Sequence, residues 1–292
     1  MSITSTEIAS QPDVWRRALT EASGSGTLLG KPGERVLLLG CGTSAFVAES
    51  LAVLRERAGL GETDAAYASE WTPGRRYDRV VAITRSGTTS EVLTALEQVE
   101  AGTTRVAVTG VASGRILDLV DDVVLLDFAD ERSVVQTRFP TTVIALAKAA
   151  WGYDVSALAD EAAQVLAAAL PLDVSRFDHF VYLGSGWTHG LAQEAALKVR
   201  EAAQAWSESY PLLDYRHGPI AVAHPGSLVV VFGPVAASLV ADIEATGATV
   251  LASDHDPLVQ LVQAQRLAVA LAESRGLQPD TPRHLTRSVI LR

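Results

Sequence analysis

The chain alternates short, uninterrupted apolar runs with longer stretches of helical spacing. Residues 35 to 40 (RVLLLG), 80 to 84 (VVAIT), 105 to 110 (RVAVTG) and 122 to 128 (DVVLLDF) are apolar on successive positions, as buried parallel strands are. Between them, residues 43 to 58 (TSAFVAESLAVLRERA) and 90 to 102 (SEVLTALEQVEAG) carry the spacing of helices. An amphipathic helix is predicted near residues 12 to 23, with Pro12 in its first turn, followed by a loop over residues 23 to 34. Strands that alternate with helices predict a parallel sheet covered on both faces.

The pattern then restarts. RVLLLGCGTSAFVAES (35 to 50) lies over HFVYLGSGWTHGLAQE (179 to 194) at a constant offset of 144, each reading strand, Gly-x-Gly, helix. RVVAITRSGTTSEVLTAL is echoed by SLVVVFGPVAASLVADI (227 to 243), and TRVAVTG by ATVLASD, with strand and helix kept and the hydroxyls lost. The expected fold class is therefore α/β, as two tandem doubly wound parallel-sheet domains of flavodoxin-like form. The expected boundaries are a helical segment over 1–30, a first domain over 31–154, an Ala-rich linker helix over 155–172 and a second domain over 173–292.

Composition narrows the partners. Apolar residues make up 48% of the 292 positions, which supplies a core and argues against disorder. A net charge of −10 disfavours nucleic acid and anionic membrane, so any anionic ligand has to be held by local groups. Cys41 is the only cysteine, which excludes an internal disulfide and a multi-thiolate metal site. The N-terminal sequence lacks a signal-type apolar stretch, and no uncharged apolar run reaches about 18 residues, so a soluble, cytoplasmic protein is expected.

ITRSGTTSE (83 to 91) is the most unusual short stretch. A buried strand ends, and five hydroxyls (Thr84, Ser86, Thr88, Thr89, Ser90) with Arg85 and Gly87 lead into a helix. Free backbone amides, the positive end of the helix dipole and hydroxyl donors together suit a phosphate. Plain capping by Ser90 or Thr89, with Glu91 in the first turn, is the competing reading. GCGTSA (40 to 45) loosely matches a dinucleotide fingerprint with Glu70 as its ribose acid, but any close strand-to-helix turn selects such glycines. The alternative is that Thr43 and Ser44 face a polar ligand across from the hydroxyl loop. GSGTLLGKP (24 to 32) fails as a phosphate loop, since it precedes a strand and Pro stands where Ser or Thr is needed.

Glu194, Lys198 and Glu201 fall at i, i+4 and i+7, on one helical face. A solvated ion-pair stripe is the ordinary explanation. Ala195, Ala196, Ala202 and Ala203 in the same helix instead permit close packing. His217, in YRHGP, could divide proton transfers with Glu201 if the two share a pocket. His255 in SDHDP reads as part of a turn, and no metal site is expected.

These pieces, in this order, resemble the sugar isomerase (SIS) domain family in its tandem form, as in the isomerase half of glucosamine-6-phosphate synthase. The resemblance extends over essentially the whole chain. TEIASQPDVWRRAL resembles the family's opening helix, GCGTS its first loop, TRSGTTSE its phosphate loop and ERSVVQTRFPTT (131 to 142) its Val-Ala-Ser-Thr-Lys segment. EAALKVRE, the 16-residue step from Glu201 to His217 in RHGP, and the final PRHLTRSVIL follow in the family order. The resemblance implies that Thr84, Arg85, Ser86, Gly87, Thr88 and Thr89 hold a sugar phosphate. It implies that Cys41 (through its backbone), Gly42, Thr43, Ser44, Val134 and Gln136 line the sugar. Glu201 would move a proton between C1 and C2 through an enediol or enolamine, with Lys198 beside it. His217 would assist ring opening from a neighbouring subunit, which implies a homodimer with a shared site.

Departures limit the analogy. No glutaminase half is recognisable, and Arg287 stands where the family carries its imine-forming lysine; arginine stays protonated and cannot take that role. The expectation is thus a phosphosugar isomerase or deaminase for a hexose or aminohexose 6-phosphate, needing no cofactor. A deglycase for fructosamine-type 6-phosphates and a non-catalytic phosphosugar sensor are the alternatives.

Overall fold

The structure is a computed structural model and describes residues 2–291. Two helices, α1 (Ile3–Ala9) and α2 (Gln11–Ser25), precede the first strand. Then follow β1 (Val36–Gly40), α3 (Thr43–Arg57), β2 (Thr63–Tyr67), β3 (Arg79–Ile83), α4 (Ser90–Glu97), β4 (Thr104–Thr109), β5 (Asp122–Leu125), α5 (Arg138–Ala150) and α6 (Leu158–Ala167). The second half holds β6 (His179–Gly184), α7 (Trp187–Ala203), β7 (Ser207–Pro211), β8 (Ser227–Phe232), α8 (Ala237–Glu244), β9 (Thr249–Leu251) and α9 (Pro257–Ser274).

All the pairings are parallel, in orders β2-β1-β3-β4-β5 and β7-β6-β8-β9. The second sheet repeats the first without its last strand. The period-2 alternation of strands splits each apolar run between two faces. Val36 and Leu38 of β1, with Phe180 and Tyr182 of β6, enter one large cluster that also takes in α2, α3, α5, α7 and α9. Leu37 and Leu39 face an outer cluster on the first sheet, and Val181 and Leu183 an outer cluster on the second. The two sheets therefore sandwich a common core, and the expected boundary between two domains runs through continuous packing.

Several expected elements shift. The first predicted helix begins at Gln11 and is preceded by α1, whose N-cap Ser2 accepts from the Ser5 amide. The helix expected to reach residue 102 ends at Glu97, and the strand expected to reach 128 ends at Leu125. The Ala-rich linker is α6, which packs on α2 and α9 rather than bridging free space. Among the described residues no helix is long and apolar enough to cross a membrane.

Candidate active site

In the first sheet the strand order reverses between β1 and β3, so the crevice at the carboxyl ends of these strands is the natural ligand position of such a fold. One wall is the turn after β1. A Cβ on Gly40 would stand 2.5 Å from the Ser44 carbonyl carbon, so only glycine lets α3 start this close to its strand. Gly184 meets the same constraint at Thr188 in the second half, and Gly42 and Gly186 cap α3 and α7 at nearly identical positive φ of 53° and 58°. These glycines serve strand-to-helix packing, which accounts for the fingerprint without a dinucleotide.

The opposite wall is the hydroxyl loop. Thr84 Oγ1 accepts from the Gly87 amide at 3.2 Å, and Gly87 takes φ 65°. Thr89 is the N-cap of α4, yet its side chain makes no capping bond. The plain-cap reading therefore fails for Thr89, and its hydroxyl is open to other partners. The Ser90 amide donates to the Val289 carbonyl at 3.1 Å, Ser90 Oγ accepts from the Leu291 amide, and Thr88 Oγ1 donates to Ser288 Oγ. The C-terminal tail thus lies across the front of α4.

Between these walls is a cavity of about 30 Å³ lined by Cys41, Ser44, Thr84, Ser86, Gln136 and Arg287, among others. That is room for a water molecule, not for a sugar phosphate. Two buried polar atoms at its edge, Arg85 Nε and Gln136 Oε1, lack a hydrogen-bond partner among the described residues. Burial, with Glu91 adding to it, pushes the Cys41 thiol up and keeps it neutral.

The acidic cluster comes from the second half. The helices α3 and α7 cross so closely that a Cβ on Gly190 would lie 2.2 Å from Ser50 Oγ and 2.3 Å from the Phe46 carbonyl oxygen. This approach lets Thr43 Oγ1 donate to Glu194 Oε2 at 2.8 Å and accept from Lys198 Nζ at 3.3 Å. Lys198 Nζ is 3.3 Å from Glu194 Oε1 and 2.6 Å from Glu201 Oε2. The side chains of Glu194 and Lys198 are each 2% exposed, whereas Glu201 is 18% exposed. A solvated stripe is ruled out.

Burial pushes Glu194 up to about 7, with Glu201 adding and Lys198 and Thr43 opposing. Burial works against the Lys198 ammonium, but Glu194 and Glu201 more than offset it and hold it above its ordinary value.

A third segment, residues 131 to 137, is shaped by acids from elsewhere in the chain. Glu131 turns back to accept from the Thr137, Arg138 and Phe139 amides and from Thr137 Oγ1, so it caps α5. Glu7 of α1 accepts from the Arg132 and Ser133 amides, and burial raises its pKa. Arg85 is buried beneath this segment. Its guanidinium donates to the Ser133 carbonyl at 2.9 Å and the Arg287 carbonyl at 3.1 Å, and lies 3.9 Å from Glu131 Oε2. Arg287 in turn binds Asp130 and the Glu131 carbonyl.

The structure thus brings Cys41, Ser44, Thr84, Arg85, Ser86, Thr89, Gln136 and Arg287 together at one cavity. Three of the expected residues have other partners in the structure. Thr43, expected against a sugar, has its hydroxyl committed to Glu194 and Lys198. Arg85 anchors the 131–137 segment and the tail through its terminal nitrogens, while its Nε stays unpartnered at the edge of the cavity. Val134 gives its amide to the Asp280 carbonyl at 3.3 Å and does not line the cavity. His217 is exposed at the end of a single 3-10 turn, Asp214–His217, and does not border the cleft around Glu201. Sequence reasoning missed Glu7 and Glu131; the signal was their place in the opening helix motif and at the head of the 131–142 segment. Among the described residues no group of three or more His, Cys, Asp or Glu side chains is placed to hold a metal ion.

No protein-family model matches the chain. Over 307 residues it is 30% identical to the glutamine–fructose-6-phosphate aminotransferase (isomerizing) of Pyrobaculum aerophilum, covering 87% of this chain and 51% of that protein. The chain spans about half the length of the curated relatives it matches. Its structure superposes on a glucosamine-6-phosphate deaminase of Thermotoga maritima with a TM-score of 0.84 and 27% identity, covering 99% of this chain and 100% of the other. The C-terminal domain of a glucosamine-fructose-6-phosphate aminotransferase from Francisella tularensis gives 0.79 at 21% identity, covering 97% and 98%, and carries the fold alone. The chain is homologous to the sugar isomerase (SIS) domain of such aminotransferases and has the α/β fold of that domain.

Proposed function

We propose that the chain is a phosphosugar isomerase or deaminase acting on a hexose or aminohexose 6-phosphate, with Glu201 as the base. The observation that carries this reading is the graded burial of one charged row. Glu194 and Lys198 are sealed, while Glu201, 2.6 Å from the Lys198 ammonium, keeps an open side. A general base has to be held in one orientation and still reach its substrate. Of the three groups, Glu201 meets both conditions.

In this reading the phosphate sits at the front of α4, against Ser86, Thr89 and the helix amides. The Ser90 amide exchanges the Val289 carbonyl for a phosphate oxygen, so the tail has to shift as substrate enters. On an open-chain aminohexose 6-phosphate, Glu201 takes the C2 proton and returns it at C1. Water then adds to the resulting C2 imine, and ammonia leaves behind a ketose 6-phosphate. On a hexose 6-phosphate the same shuttle interconverts aldose and ketose. Similarity along its full length to a deaminase, together with Arg287 in place of an imine-forming lysine, favours deamination over amide-nitrogen transfer.

The role that the resemblance gives His217 requires a second copy, since His217 stands outside its own chain's cleft. The homodimer is a separate proposal, tested by the oligomeric state in solution. A panel of hexose, aminohexose and fructosamine 6-phosphates, followed for ammonia release and aldose–ketose interconversion, tests the function. Turnover only of fructosamine adducts would replace it with deglycation, and binding without turnover with sensing.

A further inference from the structure

We propose that a cavity on the outer face of the first sheet binds a nucleoside 5′-phosphate, at a site separate from the catalytic crevice. The cavity holds about 320 Å³, within the range of small-ligand sites, and is built from the segment that joins β2 to β3 and from the turn after α4. Its floor is apolar: Val80 at the start of β3 and Val99 beyond α4 are 1% and 7% exposed. The shortness of α4 makes room for it. Because that helix ends at Glu97, the outer face near Val80 is covered by Trp71 and Tyr77 of the incoming segment instead. Val80 precedes Thr84 by roughly 13 Å of strand, so the cavity sits near the amino end of β3, away from the hydroxyl loop. The Gly-x-Gly turn after β1 lies at the other end of the sheet and takes no part.

Each part of the wall suits one part of such a ligand. Tyr77 is fixed from several sides. Its hydroxyl donates to Asp64 Oδ2 at 2.7 Å, its carbonyl accepts from Thr103 Oγ1 at 3.2 Å, and the Arg35 guanidinium lies 5.8 Å from its ring centre. With Trp71 it offers aromatic surface to a base, an interaction open to any base because each has a π face. Arg75 and Arg76 stand at the rim. Arg75 is held by Asp64 at 3.0 Å, whereas the Arg76 side chain is 90% exposed and meets Glu100 only at 3.9 Å. A guanidinium with free donors takes a phosphate in two-pronged fashion. The Glu100 carboxylate only accepts hydrogen bonds, which suits the two hydroxyls of a ribose. In a chain of net charge −10, two arginines above an apolar and aromatic floor are a local feature, not a general attraction for anions.

Isothermal titration calorimetry on the full chain tests this with AMP, GMP, CMP and UMP, and with the matching nucleosides and inorganic phosphate as fragments. At least one of the four nucleotides is expected to bind saturably, one per chain, and its two fragments at least about tenfold more weakly. Two variants probe the place. Arg76→Glu changes an exposed side chain, and Trp71→Leu keeps apolar packing while removing the ring. Each is expected to weaken the nucleotide by about tenfold or more, with the melting temperature of Arg76→Glu unchanged. Saturable binding by none of the four overturns the assignment, as does inorganic phosphate binding as tightly as the nucleotide. Equal affinity in the wild type and both variants overturns it too. A nucleotide that fructose 6-phosphate displaces sits in the catalytic crevice, which also contradicts the proposal.

Discussion

Thr43 and Glu194 meet at 2.8 Å, hydroxyl to carboxylate, although one begins the first helix of the first sheet and the other lies midway along its counterpart in the second. This bond crosses the shared core and lies beside the buried ammonium of Lys198. The site is therefore a product of how the two halves pack, and its chemistry is sensitive to that packing.

Glu194 supplies the pH dependence. Burial pushes its carboxyl up to about 7 in the folded chain, above the ordinary value of 4.5, so the folded state binds the proton more tightly than the unfolded one. The associated stability is fully present below pH 4.5 and is lost as pH rises through about 7. The Glu194→Gln variant, which mimics the protonated form, should lack this loss. The difference between the two proteins should change by about 3 kcal/mol across that window, as measured by denaturant unfolding at a series of pH values. Parallel pH profiles would contradict the assignment.

Gly190 sets the distance between the helices. The Gly190→Ala variant gains helix propensity of up to about 1 kcal/mol, but its methyl would press on a backbone oxygen of α3 at 2.3 Å. We expect a net loss of roughly 2 kcal/mol because the crossing helices have to separate. The melting temperature checks this, and activity should fall with it as the Thr43–Glu194 bond is disturbed.

The hydroxyl loop should govern substrate affinity rather than chemistry. Ser86→Ala and Thr89→Val each remove one donor to a charged oxygen, worth roughly 1.5–3 kcal/mol. KM for a hexose 6-phosphate should rise about tenfold or more with kcat little changed. An unchanged KM in both variants would move the phosphate elsewhere.

No imine to the chain is expected. Arg287 cannot form one, and Lys198 is kept protonated by the two carboxylates that flank it. Borohydride added during turnover should leave the protein mass unchanged; a sugar adduct on Lys198 would contradict this.

The central strands of both sheets were legible because burial on both faces writes them as continuous apolar runs. Two of the edge strands, β2 and β7, were not. Thr63–Tyr67 and Ser207–Pro211 each pair with one neighbour only and are part exposed, so TDAAY and SESYP carry no such run. The helix α5 is started by Glu131, a carboxylate outside it, a relation that local periodicity cannot report. In the site, the hydroxyl loop announced itself by composition. Burial of the Glu194–Lys198 pair did not, because a charged row at i, i+4 looks the same on a surface until Gly190 and the flanking alanines bring α3 against it.

The central claim is that Glu201 moves a carbon-bound proton of a phosphosugar. Incubating wild type and Glu201→Gln with fructose 6-phosphate in deuterated water, and reading the C1 proton signal by NMR, tests it directly. The account predicts deuterium uptake with the wild type and a loss of at least about 10³-fold in the variant, with phosphosugar binding largely intact. Equal exchange by both proteins would contradict it.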